Sequence, residues 1–164
     1  MSSVAIEVTT RPLTAGDRGL LRTATLANVN WSGEERVPSR DVDETPELRH
    51  YTDLRPERGD FGFVAERGGR TVGVVWALFL ADEDRGYGHV ADDVPELSLS
   101  VWPGHRGQGI GGELLRGALA EARRRGLARV SLSVEAGNPS VHLYRAVGFR
   151  PVPGAAGGTF AVDL

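Results

Sequence analysis

The chain has 164 residues, 40% of them hydrophobic, with a formal charge of −3, which suits one compact domain with a real core. The charge excludes general attraction to nucleic acid or to an anionic membrane. The absence of cysteine removes disulfides, thiolate metal sites and a thiol nucleophile, so any group transfer must be direct or use an oxygen nucleophile.

The opening residues MSSVAIEVTTRPL lack a basic start and a long apolar run, and no stretch reaches the ~18 apolar residues of a membrane span. The expectation is a cytoplasmic chain forming a single domain over residues 1–164. All 19 basic residues are arginine, the codon bias of a GC-rich bacterial genome.

Val4 to Val8 alternate as a strand, and Thr14 then caps a helix reaching about Val29, with Asp17 in its first turn. Ser32 to Glu44 reads as exposed loop. Thr45, Pro46 and Glu47 give a second start signal for a short helix to about Thr52. Phe61–Ala65 and Thr71–Leu80 are apolar runs joined by a glycine turn and predict an antiparallel hairpin. An acidic crossing, Asp82 to Asp93, leads to Glu96–Trp102, whose alternation puts Leu97, Leu99 and Val101 on one face.

Ile110, Leu114, Leu115, Ala118, Leu119 and Ala122 then recur at helical spacing, closed by three arginines and Gly126. Val130, Leu132 and Val134 predict a strand. Asn138 and Pro139 open a helix that Gly148 ends, and Phe149–Val152 and Thr159–Leu164 predict closing strands. The sum is an α+β domain on one mixed sheet of about seven strands with about four helices.

Between strand and long helix lies Pro103-Gly104-His105-Arg106-Gly107-Gln108-Gly109-Ile110-Gly111-Gly112. A helix N-terminus leaves N–H groups unpaired and carries partial positive charge, and glycines let the backbone approach a ligand, so this is a diphosphate site in kind. Gly107, Gly109 and Gly112 satisfy the dinucleotide pattern G-x-G-x-x-G, with Glu135 near the place of its ribose-binding acid. Four residues between strand and first glycine, a preceding hairpin and the short remainder of the chain weigh against that reading.

The same residues read as Arg106-x-x-Gly109-x-Gly111 after Leu99-x-Val101-x-Pro103. Together with Asn138 to Phe149, whose Leu143-Tyr144 and Gly148-Phe149 fall at matching spacing, they resemble the coenzyme-A-binding core of GNAT N-acetyltransferases. Val141 and His142 depart mildly from the usual small residues. The resemblance covers Glu96 to Phe149, about a third of the chain, and fades before Asp60. It implies acetyl-CoA as cosubstrate, two splayed parallel strands around Val101 and Val134, and a primary-amine acceptor, small molecule or peptide, while the lack of ligand spacing among the histidines predicts no metal. A homodimer stays open, as does a non-catalytic acyl-CoA-binding module of the same fold.

By this resemblance, Leu99, Val101, Arg106, Gly107, Gln108, Gly109, Ile110, Gly111, Gly112, Asn138 and Tyr144 hold the coenzyme. Backbone N–H of Val101 would hold the acetyl oxygen, Tyr144 would protonate the leaving thiolate, and Glu96 would take the amine's proton through water. Each has a plainer reading: ladder pairing for Val101, a core tyrosine, a strand-end glutamate, an N-cap for Asn138 and a solvent-facing Arg106. Asp82, Glu83, Asp84, Asp92 and Asp93 are either solvated loop charge or an acidic mouth for a cationic amine. Trp31, Trp76 and Trp102 read as packing residues, and the four histidines show no ligand spacing.

Overall fold

The computed structural model describes residues 7–164. The Val4–Ile6 part of the expected first strand lies outside them. Strand β1 is Val8–Pro12. Thr14 then accepts from Gly16 N at 3.3 Å while Asp17 accepts from Thr14 N at 2.8 Å, a reciprocal cap that starts a short 3-10 turn and the helix α1, Arg18–Val29. Arg11 holds Asp17 at 2.9 Å, fixing the strand-to-helix angle.

The stretch expected as exposed loop, Ser32 to Glu44, is corrected at its end. Asp41–Glu44 form one helical turn, α2, and Val42 is fully buried. Arg22 of α1 reaches Asp43 at 2.8 Å and the Ser39 carbonyl at 2.6 Å and so clamps α2 down. One apolar residue among acids is too short a pattern to show periodicity, so sequence alone missed it. Helix α3, Pro46–Arg49, follows and continues as a 3-10 turn through Thr52, as its cap and proline predict.

The hairpin is β2, Phe61–Arg67, and β3, Arg70–Leu78, turning at Gly68-Gly69. Next come β4, Glu96–Val101; α4, Ile110–Arg124; β5, Arg129–Ser133; α5, Ser140–Ala146; β6, Arg150–Pro151; and β7, Thr159–Asp163. One seven-stranded sheet has the order β1-β2-β3-β4-β5-β7-β6, antiparallel except at β4–β5.

Pleating assigns the two faces. Val74, Trp76 and Leu78 of β3 pack with Leu21 and Ala24 of α1 and with Tyr51. Val75, Ala77 and Leu97 pack with Leu114, Leu115, Ala118 and Leu119 of α4 and with Tyr144 and Phe149.

The parallel pair sets the site. β4 and β5 share one bridge, Glu96 opposite Ser131, with Ser131 N donating to Pro95 O at 3.0 Å. Beyond it the strands part. Trp102 N donates to Val72 O at 2.8 Å, so by strand alternation the N–H groups of Leu99 and Val101 point away from β3 into the gap. The expected splay of the central strands is present.

Leu115 lies with no exposed surface between α4 and the sheet. Leu115→Ala should therefore cost about 2–5 kcal/mol through lost burial and the cavity left behind. A denaturant titration should show a lowered midpoint with an unchanged slope; a loss under ~1 kcal/mol would mean that the site collapses freely.

Candidate active site

The gap between β4 and β5 opens into a cleft of about 1060 Å³ that runs through the sheet, lined on one side by α1, α2 and α3 and on the other by Ser133–Asn138 and α5. Glu96 and Tyr144 both line it. Glu96 is buried and so is not a surface residue, while Tyr144 belongs to the core and lines the cleft as well.

Glu96 is 4% exposed at the fork of the strands. Burial raises its pKa to about 7, opposed by the Tyr51 hydroxyl and the Gly88 N–H, which favour the charged form. Gly88 N donates to Oε1, whereas the buried Oε2 has no hydrogen-bond partner among the described residues. The loop over the carboxylate fits because it carries no side chain there. A Cβ at Gly88 would stand 2.5 Å from the Leu132 carbonyl carbon and 2.7 Å from Oε1. Tyr87 N donates to the Tyr51 hydroxyl at 2.8 Å, and the two rings stack at 6.3 Å. Tyr51 carried no sequence signal: only folding brings it to a glutamate 45 positions away.

Tyr144 sits on α5, 7% exposed, edge-on to Phe149 at 6.0 Å. Burial pushes its pKa up to about 12, and its hydroxyl makes no hydrogen bond within the described residues. The phenol is thus protonated at neutral pH and free to donate. Asn138 Oδ1 accepts from Ser140 N at 3.0 Å, bracing the turn one residue before Pro139, the N-cap of α5, and Asn138 lines the cleft as well.

The glycine loop lies at the outer end of β4. Gly109, at φ +84°, turns the chain into α4, and none of the backbone N–H groups from Arg106 to Gly112 donates to a protein acceptor among the described residues. Seven donors without a protein acceptor, those of Arg106 to Gly109 on exposed residues, at the positive end of a fifteen-residue helix can serve as an anion cradle. Gly111 lies against Leu99, Val101 and Leu143, so the cradle abuts the splayed strand. Gln108 is held from behind by Arg67 at 2.8 Å, and Arg106 turns its Nε onto the Val101 carbonyl at 3.0 Å. The cleft reaches Leu99 but not Val101, which lies one rung nearer the cradle.

Arg36 escaped the sequence, as did its link to Trp31 and Glu135. Arg36 grips Glu135 bidentately at 2.6 and 2.8 Å, and Trp31 Nε1 donates to the same carboxylate at 2.6 Å. Arg36, then Trp31, hold the Glu135 pKa down at about 2. This clasp ties the segment after α1 to the loop after β5, bridging both walls of the cleft. The acid that fits a dinucleotide pattern is therefore a structural tether, and Trp31 a cleft residue.

Of the two readings of the acids between Asp82 and Asp93, exposed loop charge holds and the acidic mouth does not form. Asp82 pairs with Arg85, Asp84 with His50 at 3.0 Å, and none of Asp82, Glu83, Asp84, Asp92 and Asp93 lines the cleft. The acids that do are Asp41, Glu47, Glu96 and Glu135. Among the described residues no three His, Asp or Glu side chains converge as a metal site requires, and no helix is long and apolar enough to cross a membrane.

The sequence model of the acetyltransferase (GNAT) family matches residues 25–149. The chain belongs to that family. It is 38% identical over 88 residues to mycothiol acetyltransferase of Thermobispora bispora, covering 53% of this chain and 29% of that protein. It is 48% identical over 52 residues to streptothricin acetyltransferase of Streptomyces lavendulae, covering 31% and 28%. The matches thus span less than a third of these two relatives' length. A GNAT acetyltransferase from Brucella melitensis, crystallised with acetyl-CoA, superposes with a TM-score of 0.63 at 22% identity, over 96% of this chain and 88% of that one.

The buried Glu96 has a stability consequence. Its folded pKa of about 7 exceeds the ordinary 4.5, so between those values the folded state keeps a proton that the unfolded state has lost. Stability contributed by this group should fall as pH rises across that window, by roughly 1.4 kcal/mol per pKa unit, and level off above it. Glu96→Gln should lack the decline; parallel stability–pH curves for the two proteins from pH 4.5 to 7 would show that the carboxyl is not perturbed.

Proposed function

We propose that the protein is an acetyl-CoA-dependent N-acetyltransferase that moves an acetyl group directly onto a primary amine, with no covalent enzyme intermediate. The observation that carries this reading is the run of seven unpaired N–H groups at the start of α4, set against a gap between parallel strands with a buried carboxyl and a free phenol on its walls. That arrangement fits a diphosphate outside, an extended arm along β4 and an acyl group at the fork.

The residues divide the work. Gly107, Gln108, Gly109, Ile110, Gly111 and Gly112 receive the diphosphate on their N–H groups, and Arg106 lies beside it for a further phosphate contact. The N–H groups of Leu99 and Val101 face the gap; Leu99, on the cleft, suits the thioester oxygen, and Val101, one rung out, the arm of the coenzyme. This shifts the oxyanion role inward from Val101. Asn138 holds the turn before α5 and lines the same path.

Glu96 accepts a proton from the arriving ammonium, directly or through water, at a pKa suited to a base working near neutrality. The neutral amine then bonds to the thioester carbon as the carbon–sulfur bond breaks. Tyr144 gives its proton to the departing thiolate and regains one from the amine or from solvent.

Coenzyme A should raise the melting temperature and NAD should not, because only a ligand of the folded state stabilises it. A screen of amines for release of free coenzyme A should find an acceptor. Tyr144→Phe should then lower kcat by on the order of 10²-fold with little change in KM for acetyl-CoA. Coenzyme binding without release for any amine would favour a non-catalytic acyl-CoA-binding module instead.

A further inference from the structure

The turn of the β2–β3 hairpin stands at the same end of the sheet as the glycine loop, because β3 runs antiparallel to β4 with Gly73 opposite Val101. Arg67 closes β2 there, just before the Gly68-Gly69 turn. The adjacent Glu66 faces Arg11 at 3.5 Å, and Arg67 has no ion pair among the described residues. Its guanidinium instead reaches the glycine loop, where Nη1 meets His105 Nδ1 at 3.0 Å and Nη2 donates to Gln108 Oε1 at 2.8 Å.

Little else holds that loop. A Cβ added at Gly104, Gly107 or Gly109 would meet no atom within 4 Å, so nothing packs against these turns. The loop's other side-chain and turn hydrogen bonds run from His105 N to Trp102 O at 3.1 Å, from Arg106 Nε to Val101 O at 3.0 Å and from Gln108 Nε2 to Gly104 O at 3.5 Å. All of these stay within the loop and the end of its own strand. Among the described residues, Arg67 alone bonds to it from outside the strand and helix that it joins. Glycine backbone has the most conformational freedom to lose, so such a loop left untethered would be ordered by its ligand at a cost in affinity.

The fork also sets what the loop offers. Arginine donates and never accepts, so His105 Nδ1 presents its lone pair and the ring proton sits on Nε2. The Gln108 carbonyl is likewise taken by Arg67, which leaves its NH2 as a donor.

We propose that Arg67 is a positioning residue for the coenzyme: by holding His105 and Gln108 on one planar fork, it presets the glycine loop in the shape that receives the diphosphate. It acts through the loop and not on the phosphates. The inference rests on the coenzyme reading and concerns a residue outside both spaced motifs.

Calorimetric titration with coenzyme A should give a Kd about tenfold weaker for Arg67→Met than for the wild type, because the loop must then be ordered on binding. Arg67→Lys should recover little of this, since one ammonium cannot reproduce donors set on two nitrogens of a rigid fork. The double variant His105→Ala, Gln108→Ala should bind about as weakly as Arg67→Met. Adding Arg67→Met to it should cost nothing further, the mark of one shared interaction. In the ligand-free protein, trypsin should cut after Arg106 several-fold faster in Arg67→Met, with the melting temperature unchanged.

An unchanged Kd for Arg67→Met would overturn the proposal. So would full recovery by lysine or an equal further loss in the double-variant background, either of which would make Arg67 a distant charge and nothing more. Wild-type protein that binds no coenzyme A while Arg67→Met is cut faster keeps the clamp and sinks the coenzyme reading. Coenzyme binding by the wild type, with neither Kd nor cutting altered in Arg67→Met, does the reverse.

Discussion

The site depends on two parallel strands that pair once and then separate. A parallel ladder normally satisfies every backbone group between its strands, and a chain cannot leave such groups unpaired in a dry core without cost. Here β4 and β5 meet at Glu96 and Ser131 and diverge, so the inner N–H groups of β4 face a cleft instead of a neighbour. Residues on the two faces of the sheet therefore meet through it: Glu96 from the face of α1 and Tyr144 from that of α5.

The electrostatics follow from this gap. Glu96 sits where the strands still touch, so it is buried, and burial sets its proton affinity close to neutrality. Tyr144, buried without a partner, is held protonated. A carboxyl with raised proton affinity and a protonated phenol thus line one cleft. The unpaired N–H groups of the glycine loop lie outside the cleft, at the outer end of β4.

The elements nearest in sequence to their partners were the most legible. The cap at Thr14, the Asn138-Pro139 turn before α5, the proline starting α3, the glycine turn of the hairpin and the 3.6-residue repeat of α4 act over a few residues, and the strands and helices fall within a residue or two of where these put them. Helix α2 was missed because a single turn with one buried valine has no period to detect. Which acids line the cleft was not legible either. Asp82, Asp84 and Asp92 are dense in the sequence, yet they pair with Arg85, His50 and His89 and do not line the cleft, while the scattered Asp41 and Glu47, on two short helices, do.

Sequence by itself determined the glycine loop between a strand and a helix, the two spaced motifs that mark the family and the tyrosine on the second of them, because each is written within a few turns of backbone. Tertiary structure alone decided what these residues face. It placed Tyr51 and Gly88 on the Glu96 carboxyl and turned Glu135 into a tether for Arg36 and Trp31. It also opened the strands at Leu99. Those relations join positions tens of residues apart through burial and strand divergence, and no local pattern encodes either.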